Sequence, residues 1–129
     1  MATFNIPTRT FQSGSTAFEF GFPAGSNGCI FTIDVTNVIA PTTFNVQFDY
    51  SPDGGATWLP LGNTGEMTGP WVDRHGVTHN DNVTTFSLGT KTVDGVDQPI
   101  LAQAGWRSRV TVNVTNGPWT TSGGSLVLT

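Results

Sequence analysis

Five side chains able to do chemistry fall in one stretch of the sequence: Asp73, Arg74, His75, His79 and Asp81. Imidazole and carboxylate together can hold a transition metal. The histidines stand four apart, but Gly76, Val77 and Thr78 between them disfavour the helix that would put both on one face. An extended strand would instead put Asp73, His75, His79 and Asp81 on one side. No third histidine exists for a three-histidine zinc site. A solvated loop or a polar interface row is therefore expected, with no metal and no other cofactor.

Nucleophilic catalysis requires a base held beside a serine, cysteine or lysine. His75 and His79 are the whole histidine complement, and nothing marks a serine as their partner. Glycoside hydrolysis requires two paired carboxylates. Asp49 and Asp53 flank one hairpin, yet alternation puts Asp49 on an outward face and Asp53 has a turn to brace. The chain is not expected to be an enzyme. Arg107 and Arg109 read as the polar face of a strand rather than an anion site. Asn82-Val83-Thr84 and Asn113-Val114-Thr115 match glycosylation sequons, but no signal segment opens the sequence, so chance matches are expected.

The elements that position these groups are strands. Phe44, Val46, Phe48 and Tyr50 alternate with Asn45, Gln47 and Asp49, a half-buried strand of period two. Ser51 to Thr57 breaks it with turn residues, and Trp58, Leu59 and Leu61 begin the return. Pro52 suits the second position of a type I turn, Asp53 can accept backbone N–H bonds, and Gly54 and Gly55 tolerate positive φ. Trp106 to Val114 alternates as clearly, and Thr16 to Phe22 carries Phe18, Phe20 and Phe22 on one side. Cys29 to Ile39 reads as a long strand, joined by a short link to the Phe44 strand as its antiparallel neighbour. Asp94-Gly95 is a hairpin-turn dipeptide, and Ile100 to Ala104 is the one place for a helical turn. The class expected is all-β, an antiparallel β-sandwich of jelly-roll or immunoglobulin-like type, over residues 16–129. Residues 1–15 read as an N-terminal arm that could pair as an edge strand.

Only 11% of the residues are charged, against a usual figure of about 25%. Cores of protein interfaces are depleted in charge, so this composition suits a chain that works against other subunits. A net charge of −4 with five basic residues argues against a nucleic-acid surface, and no apolar run reaches membrane-spanning length. The single cysteine, Cys29, excludes an intrachain disulfide and shares parity with Phe31, Ile33 and Val35, so it should be buried and inert.

Ser51, Asp53, Gly55, Thr57 and Trp58 fit S-x-D-x-G-x-T-W, which resembles the Asp-box hairpin of sialidase-like propellers, a structural turn in which Asp and Ser brace the loop. One copy in 129 residues cannot make a propeller. The hairpin DYSPDGGATWLPL, followed by GWRSRVTVNVT and a terminal SLVLT strand, resembles small virion structural proteins of tailed phages over roughly Phe44 to Thr129. That resemblance implies a β-sandwich on the virion assembled in the host cytoplasm, a decoration protein on the capsid surface or, as the alternative, a protein of the tail. Its partner would be the major capsid protein lattice, engaged as a trimer or another small homo-oligomer. The resemblance assigns no contact residues; the apolar arm residues Phe4, Ile6 and Phe11 and the loop tryptophans Trp71 and Trp119 are expected to touch that partner from their place in the sequence. The rival reading is a carbohydrate-binding or adhesion module, including a tail-associated one, with Trp71 and Trp119 as stacking platforms.

Overall fold

The computed structural model describes residues 2–129, and Met1, the first residue of the expected arm, lies outside them. The strands in chain order are β1 (Ala2–Ile6), β2 (Arg9–Phe11), β3 (Gly14–Gly21), β4 (Gly28–Asp34) and β5 (Thr43–Ser51). There follow β6 (Leu59–Asn63), β7 (Trp71–Val72), β8 (Thr78–His79), β9 (Asp81–Ser87) and β10 (Thr90–Val93). The last four are β11 (Val96–Pro99), β12 (Arg107–Thr115), β13 (Trp119–Thr121) and β14 (Gly124–Leu128). No helix occurs among the described residues, so the segment Ile100 to Ala104 forms no helical turn; Ala102 packs into the core instead.

Two four-stranded antiparallel sheets face each other, one in the order β1-β14-β4-β9 and one in the order β3-β12-β5-β6. Counting only these main strands along the chain, the orders are first-eighth-third-sixth and second-seventh-fourth-fifth. That is the double Greek-key arrangement of a jelly roll, and it decides between the two sandwich types left open by the sequence. The alternation of each strand turns its apolar row inward. Cys29, Phe31, Ile33, Leu126 and Leu128 from one sheet meet Phe44, Val46, Phe48, Val110 and Val112 from the other. Burial pushes the Cys29 thiol up to about 12, which keeps it protonated and inert at neutral pH.

Three expectations are corrected here. The Cys29 strand stops at Asp34, whose carboxylate accepts from the Thr36 backbone N–H (2.9 Å) and turns the chain. It is not the neighbour of the Phe44 strand: β4 lies between β14 and β9, while β5 lies in the opposite sheet. Alternation fixes which side chains face inward, but two sheets offer that face equally. Third, the described part of residues 1–15 supplies the edge strand the sequence allowed for, but as part of the sandwich and not as a separable arm. β1 pairs with β14 from Ala2 opposite Leu128 to Ile6 opposite Gly124, and β3 begins at Gly14. Beyond a bend at Pro7 and Thr8, β2 pairs with β13, setting Phe11 opposite Trp119.

Candidate functional site

The histidine stretch folds as a miniature hairpin rather than a metal-binding row. Trp71 pairs with His79 and Val72 with Thr78, and Asp73-Arg74-His75-Gly76 forms the turn. Asp73 Oδ1 accepts from the backbone N–H groups of His75 (2.8 Å) and Val77 (3.0 Å). Its Oδ2 bonds His79 Nε2 at 2.8 Å. The His79 bond and those backbone donors hold the Asp73 carboxyl below its usual value. The side chains of His75 and Asp81 do not join this pair, and no three metal-ligating side chains gather among the described residues. The imidazole of His79 stacks on Trp71 at 4.3 Å, and Trp71 Nε1 donates to the Asp81 carbonyl at 2.9 Å. Fixed on one face and by its N–H, Trp71 remains 46% exposed.

Ser51, Asp53, Gly55, Thr57 and Trp58 are brought together in the turn between β5 and β6. Ser51 Oγ donates to Asp53 Oδ1 (2.7 Å) and accepts from Gly55 N–H (2.8 Å), while Thr57 N–H donates to Asp53 Oδ1 (2.8 Å). Trp58 lies under the Arg109 guanidinium, 4.3 Å from its ring centroid. The bonds from Ser51 and Thr57 lower the Asp53 carboxyl below its usual value. A group whose pKa is depressed in the folded state stabilises above its ordinary pKa of about 3.9 and loses that contribution as pH falls through the folded value. Asp53→Ala should therefore lower the denaturant midpoint at pH 7, with the gap to the native chain narrowing below about pH 4. Equal midpoints at pH 7 would show that the turn needs no brace.

Of the five residues expected at a partner surface, Ile6, Phe11 and Trp119 are buried in this chain's own core and cannot serve there. Trp119 stacks on Phe11 at 5.3 Å and packs against Phe44 at 4.6 Å. Its flanking glycines and Pro118 disguise a three-residue strand as a loop. Phe4 is half-buried against Phe20, ring centroids 4.4 Å apart, and only Trp71 stands well exposed.

Sequence reasoning found the β10–β11 hairpin but missed what it is. Every residue from Thr90 to Pro99 is exposed, and the two strands pair only with each other. Asp94 (φ 51°) and Gly95 (φ 78°) make a primed turn at its tip. Its root is held firmly: Asn27 Nδ2 donates to the carbonyls of Gly89 (3.1 Å) and Ile100 (2.6 Å), and Asn27 Oδ1 accepts from Ser87 Oγ (3.0 Å). The available signal was the lack of an apolar row in TKTV and VDQP: neither strand has a side chain pattern that could face a core.

No family model and no curated protein matches the chain. A solved structure of the infectious bursal disease virus Gx strain is similar at 11% identity and a TM-score of 0.37. The likeness covers 97% of this chain and 30% of that one, so the chain spans less than a third of its length.

The outer face of the β1-β14-β4-β9 sheet adds a second surface feature. Two rows cross all four strands, Thr3-Val127-Ile30-Thr85 and Asn5-Ser125-Thr32-Val83, and none of the eight is charged. Asp34 and Asp81 bring charge only to the end of this face, whereas the outer face of the other sheet carries charges of both signs at its middle. Arg109 there sits between Glu19 and Asp49, and Asn45 accepts from Asn113 (2.8 Å) and Asn63 (3.3 Å).

Proposed function

We propose that the chain is a virion structural protein, a decoration protein that binds the outer surface of a tailed-phage head and reinforces it. The observation that carries this reading is the projecting ribbon of residues 90–99, exposed throughout and clamped at its root by Asn27. An isolated two-stranded hairpin is marginally stable in water, and its unpaired edges invite another chain. A ribbon held out in one direction is suited to being covered by a lattice subunit. The scarcity of charge, the two uncharged rows across the outer face of the first sheet and the phage-like hairpin agree with it. The jelly roll recurs in capsid domains and in lectins, and supports this by analogy of fold alone. The partner is then the major capsid protein lattice, bound at the capsid surface by a small homo-oligomer such as a trimer.

Replacing Thr90–Pro99 by Asn-Gly is the direct test, because Ile100 N–H already donates to the Gly89 carbonyl at 2.9 Å across the root. The shortened chain should melt close to the native temperature yet fail to co-sediment with phage heads assembled in its absence. Undiminished attachment would remove the ribbon from the interface. Failure of the intact chain to sediment with heads would end the decoration reading itself.

Trp71 favours a second reading, a glycan-binding or adhesion module, since an aromatic face held rigid and exposed can stack on a sugar ring. Glycan-array signal lost in Trp71→Ala would support it; a blank array would remove it.

A further inference from the structure

Arg107 and Arg109 are two residues apart on β12, and their surroundings differ. Arg109 stands opposite Glu19 on β3 and Asp49 on β5, and its guanidinium reaches the Asp49 carboxylate at 3.2 Å. Arg107 stands opposite Gly21 and Ser51, so neither cross-strand neighbour is an acid. Among the described residues it forms no ion pair. Arg9, Arg74 and Lys91 likewise form no ion pair among the described residues, so what sets Arg107 apart is the cleft it stands beside.

Arg107 also lines an open cleft of about 720 Å³ at the end of the sandwich, walled by Phe4, Phe22, Pro23 and Trp106. No acidic side chain lines it. The volume falls within the range of about 300–1,000 Å³ usual for ligand pockets, and an apolar wall with one convergent polar group is their usual chemistry. Trp106 is fixed from behind by stacking on Tyr50 at 5.6 Å. Gly21 lines the cleft as well, and its backbone does not demand glycine: its φ is not in the left-handed region, and an added Cβ would meet nothing within 4 Å. The missing side chain leaves space beside Arg107.

We infer that this cleft binds the C-terminal residue of a partner chain, an apolar side chain against Phe4, Pro23 and Trp106 with its terminal carboxylate on Arg107. The charge selects the carboxylate, the aromatic wall selects the apolar side chain, and the open mouth admits the end of a longer chain. This stands independently of where the protein resides, and its test uses the isolated full-length chain.

N-acetyl-L-phenylalanine imitates such a terminus, and its carboxamide analogue lacks only the charge. In two-dimensional NMR the acid should shift the Trp106 indole and Gly21 amide signals saturably, at least tenfold more tightly than the amide. Arg107→Gln should bring the acid down to the level of the amide. Gly21→Val should abolish binding of both while leaving the remaining spectrum native. No shift with either probe, equal affinity for acid and amide in the native chain, or full binding by Gly21→Val would each overturn the inference. Phenylacetate binding as tightly as N-acetyl-phenylalanine would assign the cleft to free aromatic acids and overturn the chain-terminus reading.

Discussion

Trp119→Ala is expected to destabilise the protein by about 3–5 kcal/mol, the range for removing a large aromatic from a packed core. The indole is 2% exposed and sits at the junction of three segments. It pairs in register with Phe11, stacks on that ring at 5.3 Å, and packs on Phe44 of the opposite sheet at 4.6 Å. Phe11 in turn meets Phe18 edge-on at 6.4 Å, so one truncation loosens the contact of β2 with β3 as well. Single domains are stable by about 5–15 kcal/mol, so this loss takes from about a fifth of the total to all of it. The indole N–H is buried without a hydrogen-bond partner among the described residues. Trp119→Phe gives up area but also removes that unpaired donor, and should cost far less than alanine. Denaturant unfolding of the three chains measures both. An alanine variant within 1 kcal/mol of the native chain, roughly the loss of one buried methylene, would mean that β13 is not a wall of the core.

Arg109→Leu should cost about 3 kcal/mol, the low end of the range for breaking a buried ion pair from one side. Its guanidinium contacts Asp49 Oδ2 through two nitrogens, at 3.2 and 3.3 Å, and lies over Trp58. The Asp49 side chain is 4% exposed and that of Arg109 29%, which is why the low end applies. Without the arginine, Asp49 keeps Gln47 Nε2 at 2.9 Å as its side-chain donor, and water reaches it poorly. Adding Asp49→Asn removes the stranded charge and should restore part of the loss. A double variant no more stable than Arg109→Leu would show that the packing over Trp58, and not the charge, was what mattered.

The inward rows of β5 and β12 were legible because Phe44, Val46 and Phe48, and Val110, Val112 and Val114, alternate without a break. The Ser51–Asp53 brace was legible because side-chain bonding within a turn depends on local spacing alone. Sheet membership was not: β4 and β5 have the same period, and nothing local tells which strand will hydrogen-bond to which. Trp119 was misread because Asn116-Gly117-Pro118 and Ser122-Gly123 announce turns on both sides of a strand too short to alternate. Asp49 was placed on the correct face, but its burial depends on Arg109 and Trp58 arriving from elsewhere in the chain. The cleft beside Arg107 depends on what stands opposite across two strands, and so could not be read before the register was known.

The last of the strands described is also an inner strand. β14 lies between β1 and β4, and β12 lies between β3 and β5. While the chain leaves the ribosome, β1 has no partner until Leu128 appears opposite Ala2, and the first sheet remains split into two pieces. Folding must then wait for contacts that close loops nearly as long as the chain, which slows it to the millisecond-to-second range of all-β topologies. A chain lacking β14 would present β1 and β4 as open edges, which invite pairing with another chain.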